Sequence, residues 1–141
     1  IDAYHATKPE YESQARCITL ALQDAQVSPN DVEYVNAHGT STILGDLAET
    51  LALKRAFGPH AGRLMVSSTK SMLGHMWSAS GAIDAITTAL TLETGIIPPT
   101  TNYETPDPEC DLDYVPNAKR ETPVGIAISE SFGGFIRKSQ L

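Results

Sequence analysis

An apolar run that ends in a dense polar loop, just before a helical pattern, most constrains the fold of this chain. Residues 32–37 favour a strand, and the loop at 38–42 carries one histidine, one glycine and three hydroxyl side chains. A helical pattern begins at about Asp46. Reactive groups of α/β proteins collect at such strand-to-helix junctions. The sequence therefore predicts an α/β fold with a functional site around His38.

A second junction of the same kind lies further along the chain. Residues 64–67 have the pattern of a short strand, and the polar loop that follows contains Lys70 and His75. The small and apolar residues at 78–93 predict a helix that is buried in the middle of the fold. Because both loops follow strands, we expect His38, His75 and Lys70 to meet at one point.

The other elements complete an alternation of helices and strands. Helical spacing predicts one helix over 9–26 and another over 46–57, where Asp46-x-x-Glu49 fits a capping box. Strand patterns occur at 124–129 and, more weakly, at 112–115 and from Phe135. Strands that alternate with helices predict a sheet covered by helices.

Charge and composition exclude several classes of function. The net charge is −7, with 17 acidic against 10 basic residues, which argues against a nucleic-acid or anionic-membrane surface. No apolar run approaches the roughly 18–20 residues of a membrane span, and we see no signal peptide. His5 and His60 show no metal-ligand spacing and there is no Cys-x-x-Cys, so we expect no metal and no cofactor.

Neither cysteine fits the role of a nucleophile. Cys17 lies inside a predicted helix with no neighbouring base. Cys110 stands between Glu109 and Asp111, whose charges oppose thiolate formation. The two thiols can pair, but two free thiols fit a reducing compartment equally well.

Each polar group of the two loops also has an ordinary structural explanation. A loop histidine is often satisfied within a turn, the hydroxyls at 40–42 can cap a helix, and a lysine is usually solvated. The dense clustering favours function. Two histidines and a lysine at loop ends can bind and polarise a carbonyl or carboxylate oxygen.

Taken together, the motifs resemble one family. They are Asn36-Ala37-His38-Gly39-Thr40-Ser41-Thr42 with Gly45-Asp46-x-x-Glu49, Ser67-Ser68-Thr69-Lys70-Ser71-x-x-Gly74-His75, and Pro98-Pro99-Thr100-x-Asn102. In this order they resemble the C-terminal half of a β-ketoacyl-[acyl-carrier-protein] synthase of the synthase II type. The resemblance covers nearly the whole chain. It implies a thiolase-like α/β fold, in which residues 1–141 form the C-terminal domain with a mixed sheet covered by helices, and the N-terminal half is absent.

The resemblance implies a decarboxylative condensation in fatty-acid elongation. A cysteine of the N-terminal half takes an acyl chain from acyl carrier protein, and malonyl-carrier protein then loses carbon dioxide and attacks the thioester. His38 and His75 match the two catalytic histidines, and Lys70 matches the active-site lysine. Glu49 matches a buried glutamate that pairs with that lysine.

Three threonines match the substrate entrance. Thr40 and Thr42 match residues that hydrogen-bond the phosphopantetheine arm, and Thr7 lines the same entrance. The implied partner is acyl carrier protein with phosphopantetheine-linked acyl and malonyl groups. The complete protein is expected to form a homodimer in the cytoplasm, or in a plastid or mitochondrion of a eukaryote.

Two departures from the family pattern leave alternatives open. The nucleophilic cysteine would lie upstream of Ile1, so we expect this chain alone to be inactive. At the other end, Glu130 replaces an asparagine and Gly134 replaces a phenylalanine beside the cysteine, while a polar tail from Arg137 replaces an apolar strand. A non-catalytic subunit of the chain-length-factor type, or a polyketide synthase ketosynthase domain, therefore remains an alternative to the elongating enzyme.

Overall fold

The computed structural model describes residues 9–133. Its helices are α1 (Tyr11–Asp24), α2 (Ile43–Phe57), α3 (Lys70–Leu73) and α4 (Ser80–Thr94), with 3₁₀ turns at Pro29–Asp31, Gly58–Arg63 and Trp77–Ala79. Its strands are β1 (Tyr34–Asn36), β2 (Met65–Ser67), β3 (Ile96–Ile97), β4 (Arg120–Glu121) and β5 (Ala127–Ser129). Thr7 and the divergent end from Gly134 lie outside the described residues.

The strands form two separate sheets. A parallel sheet has the order β2-β1-β5, and β3 pairs antiparallel with β4. The register of the parallel sheet sets Asn36 beside Ser67 on one side and beside Ser129 on the other. Because the strands are parallel, the loops that follow them leave the same edge of the sheet. The predicted α/β class is confirmed, but among residues 9–133 the main sheet is parallel rather than mixed, since the antiparallel pair β3-β4 is separate from it.

The apolar core lies between the first two helices and this sheet. α1 packs on α2, and the predicted stripe of α1 is confirmed, since Ala15, Ile18 and Leu22 are all buried. The core cluster also includes Val32, Val35, Ala52, Leu53, Phe57, Leu64 and Val66. A large apolar side chain contributes about 1.5–3 kcal/mol when fully buried. This cluster therefore fixes α2 and the two strands that lead to the histidine loops.

α4 differs from the expected helix buried in the middle of the fold. The face that it buries is polar and consists of Ser80, Asp84, Thr88 and Thr91. Ile86 and Leu90 are exposed in this chain. The buried face of α4 is polar because it contacts polar groups such as Asn36 at the end of β1. Asn36 Nδ2 donates to the Asp84 carbonyl at 3.0 Å and to Thr88 Oγ1 at 3.2 Å.

Two local predictions were wrong. α2 begins at Ile43 rather than at about residue 46, so Asp46 and Glu49 do not form a capping box, and Thr42 is the N-cap residue without a side-chain cap. The segment 112–115 makes only a single bridge, between Asp113 and Met65, instead of an edge strand. Among residues 9–133, none of the helices has the length and apolarity that a membrane crossing requires.

Candidate active site

The loops after β1 and β2 bring the two predicted histidines into contact. The ring centroids of His38 and His75 lie 5.7 Å apart with the ring planes at 89°. The ring of Phe132, from the segment after β5, meets His38 edge-on with centroids 6.0 Å apart. The predicted convergence of the histidine loops is therefore found in the structure.

Glu49 holds the loop that carries His38. Its Oε1 accepts the backbone N–H of His38 at 2.7 Å, and its Oε2 accepts that of Gly39 at 2.8 Å. Glu49 is 5% exposed, so the two amides donate to a carboxylate that is largely removed from water, and such hydrogen bonds are strong. Glu49 thus fixes the backbone beneath the imidazole of His38.

Gly39 allows the two loops to approach closely. Its φ is +36°, and a Cβ at this position would lie 2.6 Å from Cβ of Ser68. The Ser68 hydroxyl donates to the Gly39 carbonyl at 2.8 Å. A side chain at residue 39 would therefore push the β1 loop away from the β2 loop.

The partner of Lys70 differs from the one that the sequence predicted. Lys70 Nζ lies 2.6 Å from Asp84 Oδ2, and the two side chains are only 6% and 2% exposed. Thr69 Oγ1 donates to the other Asp84 oxygen at 2.7 Å. The predicted Lys70–Glu49 pair was therefore wrong: both oxygens of Glu49 accept from backbone amides, and Asp84 on α4 neutralises the lysine.

His38 is a neutral imidazole in this setting. Burial, followed by the nearby cation of Lys70 and the ring of His75, lowers the pKa of His38 to about 4, against a smaller opposing effect of Asp84. The Nδ1 atom of His38 is buried and has no hydrogen-bond partner among the described residues. A neutral ring offers one N–H donor and one acceptor.

The backbone fixes the tautomer of His75. The N–H of Trp77 donates to His75 Nδ1 at 3.1 Å, and the Ser80 hydroxyl lies 2.9 Å from the same nitrogen. The Ser80 oxygen also accepts the N–H of Met76 at 2.8 Å. Because Nδ1 of His75 accepts, its proton is on Nε2. His75 is thus oriented as an N–H donor.

A cleft of about 550 Å³ lies beside these groups. Its walls include Thr40, Thr42, Lys70 and His75, together with residues of the 100–105 segment. The Thr40 and Thr42 hydroxyls lie 3.2 Å from each other. Thr42 is the N-cap residue of α2 but makes no side-chain cap, and both threonines line the cleft.

Glu130 is a buried acid at the end of β5. Its backbone N–H donates to the Asn36 carbonyl at 2.9 Å, and the residue is 4% exposed. Among residues 9–133, no donor group reaches either of its carboxyl oxygens. Burial, together with the neighbouring carboxylate of Glu49, raises the pKa of Glu130 well above its usual value.

Sequence reasoning did not assign three residues to this cluster, namely Asp84, Ser80 and Glu130. Asp84 has a visible signal, since it is the one acidic residue in the first three turns of a helix of small and apolar residues. The sequence gives no sign that Ser80 belongs to the site, because a serine at the start of a helix is typical of an N-cap. Glu130 was identified as a departure from the family pattern, but its contact with Glu49 was not predicted.

The cysteines lie where the sequence suggested. Both are free; Cys17 is exposed and Cys110 is partly buried. Burial, followed by the charges of Asp107, Asp46 and Glu109, raises the pKa of Cys110. Within the described part of the chain, no group of three or more His, Cys, Asp or Glu side chains has the arrangement of a metal site.

Sequence comparison finds relatives that share one name. The chain is similar to 3-oxoacyl-[acyl-carrier-protein] synthase 2 of Synechocystis, Coxiella burnetii and Staphylococcus aureus, with 50%, 48% and 51% identity over 94% of this chain. It spans only 32–33% of the length of these relatives.

Solved structures give the same picture. A ketosynthase in complex with the acyl-carrier protein of a type II polyketide synthase, bound to the hexaketide, superposes with a TM-score of 0.89 at 43% identity, over 94% of this chain and 33% of that one. The ishigamide ketosynthase/chain length factor gives 0.82 at 41% identity, over 87% and 30%. Residues 2–104 match the sequence model of the beta-ketoacyl synthase C-terminal domain. With the paired histidine loops and this match over most of its length, the chain belongs to the β-ketoacyl synthase family.

Proposed function

We propose that the complete protein carrying this chain is a 3-oxoacyl-[acyl-carrier-protein] synthase of fatty-acid elongation, and that residues 1–141 are its C-terminal domain. The observation that carries the proposal is the contact of the two imidazoles, 5.7 Å between centroids, beside a buried Lys70–Asp84 pair. Such a site offers fixed N–H donors and little water. Those are the properties that stabilise a developing oxyanion.

The chemistry follows from where charge develops. When a malonyl thioester loses carbon dioxide, the electron pair of the broken C–C bond moves onto the thioester carbonyl and forms an enolate. The N–H of His75 and the neutral ring of His38 are suited to donate to that oxygen. The cation of Lys70 adds a favourable field. The enolate carbon then attacks an acyl thioester held on a cysteine and releases the thiolate.

That cysteine belongs to the part of the protein outside this chain. Cys17 is exposed on a helix, and the raised pKa of Cys110 opposes thiolate formation. The isolated 141-residue chain is therefore expected to be unable to condense substrates. It supplies the groups that decarboxylate the malonyl unit and stabilise the enolate.

The substrate arm is assigned to the cleft. Thr40 and Thr42 line it and are proposed to hydrogen-bond phosphopantetheine, with Thr7 at the same entrance. The proposed partner is acyl carrier protein carrying acyl and malonyl groups. Since this chain has a net charge of −7 and carrier proteins are acidic, docking requires a local basic patch or the rest of a protein that we expect to be a homodimer.

The test uses the full-length protein and malonyl-carrier protein. We expect His38→Ala to lower the rate of malonyl decarboxylation by at least about 100-fold. The control is His60→Gln, because His60 contacts the Val32 carbonyl at 2.7 Å and lies outside the site. An unchanged decarboxylation rate in His38→Ala would overturn the assignment.

A second candidate is a non-catalytic subunit of the chain-length-factor type. Glu130, which replaces an asparagine of the family pattern, favours it, and one structural neighbour is a ketosynthase/chain length factor. A polyketide synthase ketosynthase domain is a related alternative. The full-length protein incubated with labelled acyl-carrier protein distinguishes enzyme from subunit: an acyl-cysteine supports the enzyme, and the absence of any acyl-protein supports the subunit.

A further inference from the structure

Glu130 and Glu49 are buried beside the same loop: the Glu130 N–H donates to the Asn36 carbonyl, and Glu49 accepts the amides of His38 and Gly39. The Glu49 carboxyl is the neighbouring group that acts most strongly on Glu130. Glu130 is 4% exposed and Glu49 is 5% exposed. The titratable groups whose charges act on Glu130 are Glu49 on α2 and, more weakly, Cys17 on α1. No cation therefore balances Glu130 among the residues that the structure describes. Two adjacent buried carboxylates repel each other strongly, and such pairs hold a proton between them.

The hydrogen bonds of Glu49 decide where this proton resides. Both oxygens of Glu49 accept backbone N–H groups, at 2.7 Å from His38 and 2.8 Å from Gly39. Donors of this kind favour the charged form of the carboxyl that accepts them. Glu130 has no donor on either oxygen. The proton therefore belongs to Glu130, which then has one O–H to donate.

We propose that Glu130, in its neutral form, is a positioning residue that donates a hydrogen bond to Glu49 and so holds Glu49 against the amides of His38 and Gly39. This inference rests on the proposed function of His38 and extends it to a residue that departs from the family pattern. Ionisation of Glu130 places a second negative charge beside Glu49. The two carboxylates then move apart, and the His38 loop loses its support.

The activity test uses the full-length protein and a pH profile of malonyl decarboxylation from about pH 6 to about pH 10. We expect kcat of the wild type to fall at the alkaline end as Glu130 ionises. Glu130→Gln keeps a neutral donor that does not titrate. This variant should remain active, and its kcat should not show the decrease at high pH that ionisation of Glu130 causes in the wild type. Glu130→Ala should lower kcat about 10- to 100-fold with little change in KM.

A matched control is Glu33→Gln. Glu33 also accepts a backbone amide, that of Gly125 at 2.5 Å, but it is exposed. This variant should keep the wild-type profile. A Glu130→Gln variant that is as inactive as Glu130→Ala, or that keeps the full alkaline fall, would overturn the positioning role.

Two measurements decide the proposal without turnover. In the infrared, the C=O stretch of a protonated carboxylic acid should be present at neutral pH in the wild type and in Glu33→Gln, and absent in Glu130→Gln. In NMR spectra, the amide signals of His38 and Gly39 should shift as that band disappears with rising pH, and stay constant in Glu130→Gln. A wild type that lacks decarboxylase activity contradicts the proposed function, whereas a missing infrared band or unresponsive amides contradict this inference.

Discussion

Lys70 Nζ and Asp84 Oδ2 lie 2.6 Å apart in an ion pair that is almost completely removed from water. The pair joins α3, which follows β2, to α4. A buried pair of this kind contributes little compared with an apolar pair, but loss of one partner leaves a buried charge without compensation. Removing one charge or both charges of the pair separates these two effects.

Asp84→Asn should lower the free energy of unfolding of the full-length protein by about 3–5 kcal/mol. Lys70→Met/Asp84→Asn removes both charges and should recover part of that loss. Urea denaturation measures both variants. The control is Lys119→Met, in the exposed Lys119–Glu121 pair at 2.7 Å, which should show no measurable change. An Asp84→Asn variant as stable as the control would contradict the buried-pair assignment.

The same double variant should raise the pKa of His38. Burial is the largest cause of its value of about 4, and Lys70 is the second, so the rise toward the ordinary 6.5 should be partial. Histidine NMR titration of the full-length protein measures it, with Lys119→Met as the control. A His38 titration that is identical in the double variant would show that Lys70 does not act on this ring.

The lowered pKa of His38 also sets a pH dependence of stability. Below about pH 6.5 the unfolded chain binds a proton at this residue and the folded chain does not. The contribution of His38 to stability is therefore complete above about pH 6.5 and is lost as the pH falls toward about 4. Urea denaturation across this range should show that the free energy of unfolding falls less with decreasing pH in His38→Gln than in the wild type. Parallel curves for the two proteins would exclude this linkage.

Glu49→Gln should damage the His38 loop. A glutamine has one acceptor oxygen and an NH₂ group, so one of the amides of His38 and Gly39 would face a donor. We expect a loss of about 1–3 kcal/mol in stability and a fall in decarboxylation of at least about tenfold. Glu33→Gln is the matched control, since Glu33 is exposed and water can replace its hydrogen bond with the Gly125 amide. Equal effects of the two substitutions would rule out a special role for Glu49.

Gly39→Ala should separate the two histidine loops. The new Cβ would meet Ser68 at 2.6 Å, and the φ of +36° disfavours any side chain. We expect a cost of about 1–3 kcal/mol and a large loss of decarboxylation. Gly62→Ala is the control, because nothing lies within 4 Å of its Cβ position. An active and stable Gly39→Ala variant would disprove the close approach of the loops.

The sequence predicts well what depends on local pattern. The stripe of α1 and the strands that precede His38 and Lys70 follow from apolar periodicity, and their positions agree with the structure to within a few residues. The meeting of His38 and His75 follows from the rule that parallel strands end at one edge of a sheet.

The sequence could not show which acidic residue, Glu49 or Asp84, pairs with Lys70. Glu49 and Asp84 are both acidic residues on predicted helices, and only the three-dimensional arrangement shows that Glu49 faces backbone amides. The polar face of α4 was also unpredictable, because small and apolar residues make up most of the helix while Ser80, Asp84, Thr88 and Thr91 are the residues that it buries.

The register of the parallel sheet has a consequence for sequence length. Asn36, Ser67 and Ser129 stand in one row, and His38, Lys70 and Glu130 follow that row by two, three and one residues. An insertion or deletion of a single residue between a strand and its reactive group would turn that group away from the cluster. Insertions should be tolerated in the exposed 104–109 segment, whereas these three offsets should accept none.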